Sequence, residues 1–200
     1  SHPVQPQSYE SIDNFYTLTI YEKGAEVIRM MQTLVGESTF QQVLDHYFEM
    51  YDGQAVTVNE LIRSVEHSAG RDLTQFKLWY TQAGTSEVFV TSQYNDATKI
   101  YELNFEQKLR KNQKPMHIPI QLGLVDSEGK ELIGTKLCEL TDLKQNFEFK
   151  NIKNKPLPSL LRNFSAPIKI HMDYSEKDLA HLLTYDSNPF AKWDASVSLI

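Results

Sequence analysis

Residues 79–90, WYTQAGTSEVFV, mark the place where the spacing of apolar residues along the chain changes. Before Gly84 the apolar residues recur every three or four positions, which is typical of amphipathic helices. After Gly84 the spacing becomes two, as in the pair Val88 and Val90, which is typical of strands. The sequence therefore predicts helices first and a β-domain second, in an α+β chain.

The helical region predicts four helices over residues 15–84. The clearest begins at Thr57, because Glu60 follows three residues later at the spacing of a capping box. Ser38 and Gln41 have the same spacing and predict the start of the preceding helix. The fourth helix is expected over residues 72–84. The apolar stripe of the first helix is expected to consist of Val27, Ile28, Met31, Leu34 and Val35.

Residues 85–174 predict several short strands, at spacings typical of a small antiparallel sandwich. The longest expected strand contains Ile118, Ile120, Leu122 and Leu124. Pro119 within it cannot donate to a strand ladder, which predicts an edge or a bulge. Helical spacing returns at Ser175, which has Asp178 three residues later, and Asn188-Pro189 predicts the start of another helix.

Composition and charge narrow the class of protein. The chain is 40% hydrophobic and 23% charged with a net charge of -6, so it lacks the basic excess expected at a nucleic-acid surface. No apolar run approaches the roughly 20 residues that a membrane helix needs. Residues 1–84 carry 11 acidic and 5 basic side chains. This acidic part fits a solvated helical surface or, alternatively, a face that attracts a cationic ligand such as a peptide amine.

The residues alone reveal no reaction. None of the six histidines pairs with another as His-Glu-x-x-His, so each is interpreted as a surface or packing residue. No phosphate loop, dinucleotide-binding glycine fingerprint or Gly-x-Ser-x-Gly elbow is present. Residues 108–114, KLRKNQK, are interpreted as a solvated loop between strands. The single cysteine, Cys138, is expected to be an inert thiol, and its lack of an internal partner indicates a reducing compartment.

One segment stands apart, residues 14–25, NFYTLTIYEKGA. Two tyrosines flank a threonine-rich turn that leads into an amphipathic helix. Tyr21 is expected in the first helical turn, with Tyr16 just outside it. From the residues alone, both rings could simply pack at the entrance of the helix, and that interpretation stays open.

The longer segment 14–36, NFYTLTIYEKGAEVIRMMQTLVG, resembles the segment that follows the zinc site in the bacterial aminopeptidase N family. That family belongs to the zinc metallopeptidases whose metal is held by His-Glu-x-x-His and a later Glu. The likeness extends over nearly the whole chain, through Trp79-Tyr80-x-Gln82-x-Gly84, Phe164-Ser165-Ala166-Pro167 and Phe190-x-x-Trp193-Asp194-Ala195. Its most specific part is the Tyr-Glu-Lys-Gly run.

The resemblance implies an internal fragment with three segments. Residues 1–84 would be the C-terminal helical part of a thermolysin-like catalytic domain, residues 85–174 an antiparallel β-sandwich, and residues 175–200 the start of a C-terminal helical domain. The full-length protein would be a zinc-dependent aminopeptidase that removes N-terminal residues from peptides with a free N-terminus. It would act in peptide catabolism as a cytoplasmic monomer, with neither nucleic acid nor a membrane as a partner.

The resemblance also implies roles for two side chains. Tyr21 matches the tyrosine whose hydroxyl donates a hydrogen bond to the oxyanion formed when water attacks the scissile carbonyl. Tyr16 matches a position whose ring lines the pocket for the first side chain of the substrate. The zinc-binding motif, the third zinc ligand and a Gly-x-Met-Glu-Asn amine-anchoring motif are absent from these residues. The chain alone is therefore expected to bind no zinc, to supply no metal ligand and to be inactive.

Two other interpretations remain open. A non-catalytic scaffold or interaction module could keep this fold without a zinc site, although such a scaffold has no special need for the Tyr21 hydroxyl. A free-standing binding module built from helices and a β-sandwich is the third interpretation. The linker-like start and the apolar end of the chain weigh against it, since both are interpreted as cuts through a longer protein.

Overall fold

A computed structural model describes residues 2–8, 10, 11, 13 and 16–200. The chain forms two compact units, Ser1–Gly84 and Thr85–Ile200. The first unit is helical, and the second contains two β-sheets and two helices. The predicted order of a helical part followed by a β-domain is confirmed.

The first unit contains a π-helical turn that continues directly into a helix. Its elements are the π-helical turn Thr19–Lys23, α1 (Gly24–Val35), α2 (Glu37–Tyr51), α3 (Val58–Ala69) and the short α4 (Leu78–Thr81). The buried stripe of α1 consists of Val27, Met30, Met31 and Leu34, at the i, i+3, i+4, i+7 spacing of one helix face. Ile28, which was expected in this stripe, is exposed because it lies on the neighbouring face.

The start of α3 has the predicted capping box. The Thr57 side chain accepts a hydrogen bond from the Asn59 amide at 3.2 Å, and Glu60 accepts one from the Thr57 amide at 2.8 Å. The capping box predicted at Ser38 is wrong, because α2 already begins at Glu37 and no side chain caps it. Gly36, with φ of 83°, makes the sharp turn between α1 and α2 and occupies the N-cap position of α2.

These two helix starts give a matched pair of substitutions. Thr57→Ala is expected to lower the free energy of unfolding by about 1 kcal/mol, because it leaves helix amides of α3 without their acceptor. Ser38→Ala is the control, and a change below about 0.5 kcal/mol is expected because Ser38 caps nothing. Urea unfolding followed by circular dichroism measures both values. Equal losses in the two variants would contradict the assignment of the cap.

The fourth helix is much shorter than the expected 72–84. Only Leu78–Thr81 is α-helical, and residues 74–77 form turns. Asp72 Oδ1 accepts hydrogen bonds from the Thr74 amide at 2.9 Å and the Thr74 hydroxyl at 2.7 Å. This local ring fixes a turn where a helix N-terminus was predicted, since aspartate side chains compete with helical hydrogen bonds.

The second unit contains seven strands in two sheets. The strands are β1 (Ser86–Asn95), β2 (Ile100–Lys108), β3 (Ile118–Val125), β4 (Glu131–Leu140), β5 (Lys144–Phe149), β6 (Leu157–Ser159) and β7 (Ile168–His171). One sheet has the order β5-β2-β1-β7 and the other the order β4-β3-β6. Strand β1 pairs in parallel with β7, and the other pairs are antiparallel. The core of the unit includes Val88, Val90, Leu103, Phe105, Ile118, Ile120, Leu122 and Leu124.

Strand β3 lies in the centre of its sheet, so the edge position predicted from Pro119 is wrong for the strand as a whole. Pro119 is opposite Glu139 of β4, whereas β6 pairs only with residues 123–125. In the described part of the chain, β3 therefore has a strand on one side only at Pro119, which removes the need for a second ladder hydrogen bond. The bulge predicted as the alternative corresponds to the register shifts of β3 between Leu122 and Val125, although these lie beyond the proline.

Two helices end the second unit, α5 (Glu176–Tyr185) and α6 (Pro189–Ser198). Ser175 and Asp178 form the predicted capping box of α5, and the Asn188 side chain caps α6 ahead of Pro189, as predicted. None of the helices formed by the described residues has both the length and the hydropathy of a bilayer-spanning segment. The division at residue 174 into a sandwich and a separate helical domain stays a prediction.

Candidate functional site

Tyr21 lies on the π-helical turn Thr19–Lys23, immediately before α1, and not in the first turn of an α-helix. Its side chain is 58% exposed. Among the described residues, no group is hydrogen-bonded to its hydroxyl. Single π-helical turns attached to α-helices occur frequently at functional sites. Within this chain the phenol is therefore exposed on a turn that is continuous with α1, one face of which is buried.

Tyr16 lies beside Tyr21. The two rings are stacked, with centroids 6.2 Å apart and an angle of 18° between their planes. Tyr16 is 69% exposed, and Leu18 between the tyrosines is also exposed. The two tyrosines singled out in the sequence are thus brought together in one exposed apolar patch. Within this chain neither ring is packed inside a helix entrance, and packing of the rings against other parts of a longer protein stays open. Asn14 and Phe15 of the same segment lie outside the described residues.

The turn is held at its N-terminal end by Thr17. The Thr17 carbonyl accepts hydrogen bonds from the Ile20 amide at 3.0 Å and the Tyr21 amide at 3.1 Å. The Thr17 hydroxyl lies 3.1 Å from His2 Nε2 and also accepts from the Ile20 amide. The backbone of the turn that carries Tyr21 is consequently stabilised by hydrogen bonds between residues three and four positions apart.

Lys23 holds the other end of the turn, and sequence analysis did not single it out. Its ammonium donates to the Gly84 carbonyl at 2.9 Å and lies 5.6 Å from the centre of the Trp79 ring. Burial lowers the pKa of Lys23, because a half-buried ammonium loses hydration. The sequence signal that could have indicated Lys23 is its position in the Tyr-Glu-Lys-Gly run. The contact itself could not be predicted from the sequence, because the partner carbonyl is 61 residues away along the chain.

The histidines take part in packing and hydrogen bonds. His46 and His67 stack with centroids 4.2 Å apart, and His117 Nε2 lies 2.8 Å from Glu139. His181 Nε2 lies 2.7 Å from the carbonyl of Asp126. Within residues 2–8, 10, 11, 13 and 16–200, no group of three or more His, Cys, Asp and Glu side chains is placed to hold a metal ion.

The thiol of Cys138 is buried in β4, and burial raises its pKa to about 11. A thiol with so high a pKa is almost entirely protonated at neutral pH and is a poor nucleophile. This supports the interpretation of Cys138 as an inert core residue. Of the side chains singled out in the sequence, the exposed pair Tyr16 and Tyr21 forms the candidate site.

Two family models match consecutive parts of the chain. Residues 1–80 match the peptidase family M1 domain. Residues 84–173 match a domain of unknown function (DUF3458) with an Ig-like fold. The boundary between the two matches falls at the boundary between the two structural units.

Similar proteins extend well beyond this chain. It is 39% identical over 212 residues to aminopeptidase N of Escherichia coli and 39% identical over 211 residues to aminopeptidase N of Haemophilus influenzae. Each match covers 100% of this chain and 24% of the relative. A crystal structure of Legionella pneumophila aminopeptidase A in complex with aspartic acid matches with a TM-score of 0.94 and 36% identity, over 98% of this chain and 23% of that one. The chain thus spans about a quarter of the length of these relatives.

Proposed function

We propose that this chain, whose residues 1–80 match peptidase family M1 and whose residues 84–173 match the Ig-like DUF3458 domain, is part of a longer zinc-dependent aminopeptidase of family M1. The proposed reaction releases the N-terminal amino acid from peptides with a free amine. The aminopeptidase names of the relatives support this reaction class. We further propose that the longer protein is a cytoplasmic monomer.

The observation that carries the proposal is the placement of the Tyr21 phenol. It is a hydroxyl donor, 58% exposed, on a turn whose backbone is fixed by Thr17 and by α1, one face of which is buried. When water attacks a peptide carbonyl, the oxygen becomes negative, and a preorganised donor stabilises that charge with little reorganisation. We assign this hydrogen bond to the Tyr21 hydroxyl.

Tyr16 is assigned a different part of the same site. Its ring is exposed and stacked on Tyr21, so a substrate held against the Tyr21 hydroxyl would meet the ring nearby. An aromatic face of this kind provides apolar contact area without a charge. We therefore propose that Tyr16 lines the pocket for the first side chain of the substrate.

The residues of this chain do not fit a catalytic zinc site. The sequence contains no His-Glu-x-x-His, and the described residues contain no cluster of three possible ligands. Any zinc of the longer protein would be bound by residues outside this chain. The chain by itself is therefore proposed to be inactive, with Tyr21 and Tyr16 as its contribution to the site.

Hydrolysis of two leucyl amides by the longer protein tests the reaction class. One amide carries a free α-amine and a chromogenic leaving group, and the other is identical except that the amine is acetylated. We expect hydrolysis of the free amide and at least about a hundredfold slower hydrolysis of the acetylated one, because an aminopeptidase site recognises the amine cation. Absence of both activity and bound zinc would instead support a non-catalytic scaffold.

A further inference from the structure

The C-terminal end of the π-helical turn that carries Tyr21 is attached to the rest of the first unit through the side chain of Lys23. Lys23, the last residue of the turn, reaches the Gly84 carbonyl at 2.9 Å and the face of Trp79 at 5.6 Å from the ring centre. We propose that Lys23 is a positioning residue for Tyr21, which fixes the orientation of the π-helical turn. This inference rests on the role proposed above for the Tyr21 hydroxyl.

The two partners of Lys23 lie at the end of the first unit, 56 and 61 residues after it in the chain. Trp79 is fully buried in the first unit. Gly84 ends that unit with φ of 94°, a conformation that glycine adopts readily and residues with a side chain rarely adopt. A hydrogen bond from an ammonium to a carbonyl is charge-assisted, and a cation over an indole face is attracted to the ring. Lys23 is therefore attached to a rigid part of the same unit.

Lys23 and Tyr21 point in different directions from one short turn. Side chains two residues apart on a helical turn lie on roughly opposite faces. Tyr21 is exposed accordingly, whereas the Lys23 side chain is half-buried and reaches inward. A contact that holds the inner side chain in place consequently fixes the rotation of the turn and with it the direction of the outer phenol.

Lys23 connects the C-terminal end of the turn to a distant part of the unit, whereas the Thr17 hydroxyl contacts His2 at the N-terminal end. The hydrogen bonds of the Ile20 and Tyr21 amides to Thr17 span only three and four residues. They shape the turn but do not attach it to the body of the unit. The ammonium instead joins the turn to a carbonyl 61 residues later. Loss of this contact would leave the turn formed and continuous with α1, but it would remove the contact that fixes the exact orientation of the turn.

The test is steady-state hydrolysis of the leucyl amide by the full-length protein. Lys23→Met keeps most of the aliphatic side chain and removes the cation and the donor. Its kcat is expected to fall about tenfold with KM within about twofold, because a misplaced donor weakens only the transition state. Lys23→Arg keeps both the cation and the donor and is expected to stay within about threefold of the wild-type kcat. Lys77→Met, which removes another lysine of the same unit, is the control and should stay within about twofold.

A double-mutant cycle separates positioning from a general effect on folding. In a Tyr21→Phe background, Lys23→Met is expected to change kcat by less than about twofold, because the donor that it positions is already gone. An equal fall in both backgrounds would overturn the inference, as would a wild-type kcat in Lys23→Met or a Lys23→Arg variant as impaired as Lys23→Met. If Tyr21→Phe alone stays within about threefold of wild type, the proposed role of Tyr21 fails first and the role of Lys23 falls with it.

Discussion

Tyr21→Phe in the longer protein is expected to lower kcat by about 10²–10³ and to leave KM nearly unchanged. The substitution keeps the ring, including its stacking on Tyr16, and removes only the hydroxyl. A donor that acts on the developing oxyanion contributes little to binding of the uncharged carbonyl. The loss should therefore be confined to the transition state. Steady-state hydrolysis of an alanyl or leucyl chromogenic amide measures both constants.

The control removes a hydroxyl elsewhere in the same unit. Tyr51→Phe changes the last residue of α2, remote in sequence from the turn, and should leave kcat within about twofold. Thermal melting of both variants should agree with wild type within about 2 °C, since neither ring moves. A Tyr21→Phe variant with at least a third of the wild-type kcat would refute the assigned hydrogen bond, although the match of residues 1–80 to family M1 would stand.

The parts of the fold that follow from local rules could be predicted from the sequence. Thr57, Ser175 and Asn188 cap helices as expected, because each cap depends on residues within one turn. Ser38 has the same local signature and fails, because Gly36 makes a tight link that starts α2 earlier. The edge predicted from Pro119 holds only at that end of β3, because it depends on how far β6 extends along the strand.

The candidate site was found by resemblance and not by periodicity. Tyr21 and Tyr16 carry no local signal that separates them from ordinary packing residues, and their joint exposure became visible only in the structure. The π-helical turn has no sequence signature of its own. Lys23 was missed because its partner, the Gly84 carbonyl, belongs to the other end of the unit. Backbone acceptors of this kind cannot be located without the fold.

A buried arginine in the second unit is the other feature that sequence analysis missed. Arg162 is fully buried, and its guanidinium contacts Glu131 and lies 3.1 Å from Asp186, which is also buried. Its Nε donates to the Ser159 hydroxyl at 3.0 Å. The hydrogen bond from Arg162 holds the pKa of Glu131 below its ordinary value. One cation thus joins β4, the end of β6 and the segment that links α5 to α6.

A sequence signal for this arginine exists at Gly123. A glycine inside a long apolar strand often marks the close approach of another group. A Cβ atom at Gly123 would lie 2.2 Å from Cζ of Arg162, so the guanidinium fits only because this position has no side chain. The glycine could have indicated a close contact, but not that the group in contact is a cation.

Arg162→Met is expected to lower the free energy of unfolding of the second unit by about 3–5 kcal/mol, because it leaves the carboxylate of Asp186 buried without a cation. Lys144→Met is the matched control in the same unit. Its ion pair with Glu106, at 3.1 Å, is exposed on both sides, and exposed pairs contribute about 1 kcal/mol or less. The measurement is urea unfolding of the chain, followed by circular dichroism.

A compensating substitution distinguishes an uncompensated charge from simple loss of packing. Asp186→Asn removes the buried negative charge and keeps an oxygen that can accept from the Asn188 amide, as Asp186 Oδ1 does at 2.7 Å. In the Arg162→Met background, Asp186→Asn is therefore expected to recover at least about 1 kcal/mol, whereas in the wild-type background it should be destabilising. If Arg162→Met costs no more than Lys144→Met, or if Asp186→Asn is equally destabilising in both backgrounds, the arginine does not stabilise the unit through Asp186. Recovery in the Arg162→Met background alone would show that the buried ion pair joins the α5–α6 segment to the β-sandwich.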